Sequence, residues 1–175
     1  MQTLENLYSR RTIRTYNGKN LTDKELKEIL KSAYAAPIGL KRYDSLALTV
    51  ITNAEYIAKW EQEVYKAMGR EHPFYGAPMV ILVSSIIQDP PHDNVNYSNA
   101  AGIVENMAIA ATELGIGACH IWGAVRTLND LPELKAELNI PEGMIPCCAL
   151  ALGHTDEEYY LREIEEGKIA TNFIK

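Results

Sequence analysis

Met79-Val80-Ile81-Leu82-Val83 is an unbroken apolar run with no polar residue alternating into it. A strand with one wet face alternates, so this run predicts a strand covered on both faces. Covering both faces requires a layer of helices on each side of a sheet. Further strands are expected at Leu46–Thr52, Ala118–Trp122 and Pro146–Leu152. Strands and helices do not alternate one for one, so the sheet is expected to be mixed, with helices on both faces. The 175 residues suit a single domain, 1–175, which at that size buries its own core.

The helices are legible from caps and period. Leu4–Ser9 is a short first helix. Thr22 and Glu25 form a capping box, and Leu26, Ile29, Leu30 and Ala33 follow at helical spacing until Pro37 and Gly39. Ala54–Met68 repeats Tyr56, Ile57, Trp60, Val64 and Met68 on one face. A helix capped by Ser98 runs to about Leu114, and its Ala and Gly residues suit close packing in a core or subunit interface. Asn129 or Asp130 caps a short helix with Pro132 near its start. Gly69–Pro78 and Gln88–Asn96 read as loops, and the polar residues from His154 onward as a tail leaving the core.

A formal charge of -6 argues against nucleic acid or an anionic membrane as partner. The start of the chain has no signal-peptide core, and no apolar run reaches the length of a membrane span, so a soluble cytoplasmic protein is expected. Cys119, Cys147 and Cys148 read as buried packing residues. His72, His92, His120 and His154 lie too far apart to suggest a metal site, and His120 reads as a core or edge residue.

Against that acidic background, Arg10-Arg11-Thr12-Ile13-Arg14 concentrates positive charge. In extended form Arg10, Thr12 and Arg14 share one face, and Arg11, Ile13 and Thr15 the other. Two guanidinium forks and a hydroxyl on one face suit a phosphate. Carboxylate-paired surface arginines are the alternative.

Ser9 to Tyr16 resembles the R-R-S-x-R-x-F signature of nitroreductase-family flavoproteins, and further landmarks follow in order. These are Ala35-Ala36-Pro37, Gly76-Ala77-Pro78, Glu105-Asn106-Met107 through Leu114-Gly115-Ile116-Gly117, and Ala149–His154. The resemblance implies an α+β three-layer sandwich with a mixed, largely antiparallel central sheet, in an interlocked homodimer whose tail, about 154–175, extends onto the partner. It implies flavin mononucleotide (FMN) as cofactor and NAD(P)H as reductant. The acceptor would be a nitroaromatic, quinone-like or related small molecule, reduced in ping-pong fashion by hydride transfer through flavin N5. No protein group need be catalytic. By the same resemblance Arg10, Arg11, Thr12 and Arg14 hold the phosphate and ribityl chain, and Arg162 returns to the phosphate. Pro37, Ile38, Gly39 and Lys41 approach the flavin from the partner, and Ile121, Trp122 and Gly123 border its ring. Trp122, Phe74, Tyr75 and Tyr97 are possible pocket walls. One departure stands out: Ile38–Asp44 lacks the Asn, Gln and Trp of the N-x-Q-P-W stretch common in the family. That departure bears on the substrate range and leaves a non-catalytic flavin carrier on the same fold as the alternative.

Overall fold

In the computed structural model, which describes residues 2–88 and 93–175, the apolar run lies inside β2 (Met79–Ile86). Its neighbours are β1 (Leu46–Ile51) and β4 (Met144–His154), and β3 (Ile116–Ile121) closes the far side in the order β1-β2-β4-β3. The expected layered α+β plan is present. Every pairing is antiparallel, so no parallel component of the expected mixed sheet forms among the described residues.

Alternate residues of β2 feed two cores. Met79, Ile81 and Val83 pack with Ile29 and Ala33 of α2 (Asp23–Tyr34) and with Ile103 and Met107 of α4 (Asp93–Glu113). Val80 and Leu82 pack with Trp60 of α3 (Ala54–Met68), with Phe74, and with Val125 of α5 (Gly123–Asn129). The Trp60 and Phe74 rings meet edge to face at 4.7 Å, and the Trp60 indole N–H donates to the Ala124 carbonyl at 3.0 Å. Phe74 is therefore a core residue and not a pocket wall. Burial pushes the Cys147 thiol up to about 11 and Cys148 to about 12, in keeping with inert packing residues.

Three expectations need correcting. The fourth helix begins at Asp93, so 93–96 is helical; the rest of the expected loop, 89–92, lies outside the described residues. A helix, α5, follows Trp122 directly and precedes α6 (Pro132–Ala136). The residues after β4 do not leave at once. The Tyr159 hydroxyl donates to Ile116 O at 2.8 Å, and Arg162 Nε to Tyr8 O at 2.9 Å, on α1 (Thr3–Ser9). The chain thus doubles back over its own N-terminal segment as far as Arg162. Beyond it the residues are exposed.

Candidate functional site

The basic segment leaves α1 and runs along β3, the outer strand. Ile13 is fully buried and its amide donates to Ala118 O at 2.9 Å. Tyr16 is the second pin, its hydroxyl donating towards Ile13 O at 3.1 Å and Ala151 O at 3.3 Å. Two glycines make room for these side chains. A Cβ on Gly117 would lie 2.9 Å from the Ile13 side chain, and one on Gly153 only 2.6 Å from the Pro78 ring.

With the backbone held, the arginines diverge. Arg10 Nε pairs with Glu105 Oε1 at 3.2 Å. Arg11 turns to the other side, as the alternation requires, and meets Glu157 at 3.0 Å, the Glu158 carbonyl at 2.9 Å and the Tyr160 ring. Thr15 bonds the same Glu157 carboxylate. Arg14 lies 5.5 Å from the centre of the Tyr75 ring, where Arg70 arrives at 5.7 Å and bonds the Tyr75 hydroxyl. Thr12 is exposed. Arg10 and Arg14, which alternation assigned to one face, go to different neighbours, Glu105 on α4 and Tyr75, and share no partner among the described residues.

The other expected residues lie on two further segments. Ile121 is buried at the end of β3, Trp122 is half exposed, and Gly123 opens α5. A Cβ on Gly123 would sit 3.9 Å from an Arg70 guanidinium nitrogen, so this segment adjoins the Arg14–Tyr75–Arg70 group. The Pro37–Lys41 loop is fastened to α4, the Gly39 amide donating to Asn99 Oδ1 at 3.1 Å. Leu40 and Lys41 both take left-handed backbone angles, at φ 55° and 56°, and both side chains are exposed. Non-glycine residues hold such angles at a cost, which marks the loop as shaped for presentation. Arg162, on the tail, reaches α1 just before Arg10. Tyr97 is exposed on α4 and not in a loop.

Sequence reasoning missed two residues. Arg70 follows Gly69, the left-handed cap of α3, and is brought to Arg14 by a turn that no spacing announces. Glu105 carried a signal, being the one charge between Ala100 and Thr112 in a helix otherwise small and apolar. The His120 contact comes first in holding its carboxyl below the ordinary value, with burial opposing and Arg10 assisting.

The family model described as "Nitroreductase family" matches residues 7–154. The chain belongs to the nitroreductase family. Among its relatives, a protein of Archaeoglobus fulgidus named for NADH dehydrogenase/NAD(P)H nitroreductase is 25% identical over 166 residues, 94% of this chain and 92% of the relative. The crystal structure of a nitroreductase with bound FMN from Bacteroides fragilis is 26% identical, with a TM-score of 0.80 over 99% of this chain and 100% of that one. A nitroreductase with bound FMN from Desulfitobacterium hafniense gives a TM-score of 0.84 at 24% identity, over 99% and 100%, a likeness of fold. No helix among the described residues is long and apolar enough to cross a membrane.

Proposed function

We propose that this nitroreductase-family chain is an FMN-dependent oxidoreductase that takes electrons from NAD(P)H and delivers them to a small acceptor of the nitroaromatic or quinone class. The observation that carries this is the Arg14–Tyr75–Arg70 group beside Trp122-Gly123. Two cations converge on one ring with no ion pair among the described residues, in a chain of charge -6. The names of the relatives and the FMN in the similar structures support the same reading.

The donors present fit FMN. The Arg11 Nε–H is buried without a hydrogen-bond partner, an expensive state that a phosphate oxygen would relieve. Arg10, Arg11, Thr12 and Arg14 would hold the phosphate and ribityl chain, with Arg162 close by on the tail. Arg14, Arg70 and Tyr75 would face the polar edge of the ring, and the Ile121–Gly123 backbone its border. FMN, when bound, supplies the two-electron redox chemistry, and the protein supplies orientation and electrostatics. Half-exposed Trp122 gives a flat ligand an aromatic wall, and reductant and acceptor would use that face in turn.

The site needs a second copy of the chain. Pro37–Lys41 presents Leu40, 91% exposed, away from its own core, and Ile169, Phe173 and Ile174 of the tail are likewise exposed. A homodimer in which loop and tail cover the partner's flavin face gives each of these a place. Because Asn, Gln and Trp are missing from 38–44, a flavin carrier without turnover is the second reading.

The deciding experiment is an absorbance spectrum of the purified protein incubated with FMN, followed by anaerobic titration with NADH and with NADPH. Bleaching of a yellow protein is the expected result. A protein that stays colourless defeats both readings. One that stays yellow under both nicotinamides leaves the carrier.

A further inference from the structure

Glu105 joins two groups that the proposed function leaves unconnected. Its Oε1 lies 3.2 Å from Arg10 Nε, and its Oε2 lies 3.1 Å from His120 Nε2. The carboxylate is half buried on α4, and His120 is held on β3, so both ends of the bridge stand on regular elements. Arg10 stands on the pinned segment between them. The imidazole nitrogen facing a carboxylate oxygen at that distance must carry a proton, since two acceptors would repel. It is close enough for a strong charge contact without a well-aligned hydrogen bond.

We propose that Glu105 is a positioning residue of the cofactor phosphate grip, fixing the Arg10 guanidinium by its Nε edge while His120 braces the other carboxylate oxygen. This rests on the FMN reading above. The ion pair occupies the inner edge of the guanidinium and leaves the Nη edge to be presented, which is the edge a phosphate takes. The same carboxylate opposes a bound phosphate.

The test is FMN affinity, by quenching of flavin fluorescence, for wild type, Glu105→Ala, Glu105→Gln, His120→Gln, Arg10→Ala and the double variant Arg10→Ala/Glu105→Ala. Gln keeps the acceptor oxygen for Arg10 Nε, so Glu105→Gln is expected to bind at least as tightly as wild type. Glu105→Ala is expected to bind about tenfold more weakly, and the double variant no more weakly than Arg10→Ala. His120→Gln removes the contact that braces Glu105 but leaves the Arg10 ion pair, so it is expected to weaken FMN binding measurably but by less than Glu105→Ala. A Glu105→Ala variant that binds like wild type, or whose loss persists in the Arg10→Ala background, overturns the positioning role. A His120→Gln variant that binds like wild type overturns the bracing role of His120. Wild-type protein that binds no FMN overturns the cofactor reading and this inference together, whereas an Arg10→Ala variant that binds FMN as well as wild type overturns this inference alone. If Arg10→Ala weakens binding and Glu105→Ala does not, this inference alone falls.

Discussion

Gly153 is the tightest point of the site. A Cβ there would meet the Pro78 ring at 2.6 Å and the Tyr16 ring at 2.9 Å. Proline cannot swing aside and Tyr16 is hydrogen-bonded in place, so Gly153→Ala should destabilise the protein by about 1–3 kcal/mol. Thermal unfolding of the apoprotein measures that cost. Since Tyr16 pins the basic segment, FMN affinity should fall with it, beyond what the lower melting temperature explains. At this scale the sequence was informative where a local rule applied. Alternation put Arg11 and Thr15 on one side, and both reach Glu157. It could not tell which arginines meet carboxylates, because Glu105 and Glu157 arrive from elements far along the chain. Arg70 was invisible for the same reason.

Elements with a complete local code were readable. The α2 capping box is present as written, with the Thr22 amide donating to Glu25 at 2.7 Å and Thr22 Oγ1 accepting from the Glu25 amide at 3.3 Å. Thr22→Ala should cost about 1 kcal/mol near neutral pH. Burial works against the ionised Glu25, yet Thr22 and His154 hold its carboxyl below the ordinary value. A depressed carboxylate adds stability above its unfolded pKa and loses it as pH falls through the folded one. The gap between wild type and Thr22→Ala should therefore narrow in acid, and melts taken from neutral pH to below the usual carboxylate range follow it. α4 and α5 were misread because their starts lack such a code. Asn96 looks like a loop residue, but it is buried and its side chain accepts from the Gln88 amide. α5 opens on Gly123 without a side-chain cap.

For the molecule as a whole, the layered fold followed from one apolar run and the periodic helices, whereas the path of the tail did not. Its polar residues give no period, and its contacts depend on a segment at the opposite end of the sequence. Removing residues 163–175 leaves the Tyr159 and Arg162 contacts in place. The truncated chain is expected to fold with a near-normal melting temperature but to elute as a monomer with weakened FMN binding, as read by light scattering and flavin fluorescence. A truncated chain that remains a dimer would count against a tail that holds the partner.

The closure of the C-terminal stretch over the basic segment also has a bearing on biosynthesis. Arg11 meets Glu158, 147 residues later, and Tyr8 meets Arg162, 154 residues later. The arginines therefore leave the ribosome well before these partners do. A nascent chain can pair β1 with β2 early, yet the inner strand β4 and the cover over the positively charged strip both wait for residues 144–162. Cofactor capture should accordingly follow the emergence of that stretch, and a chain stalled ahead of β4 should be unable to hold the flavin.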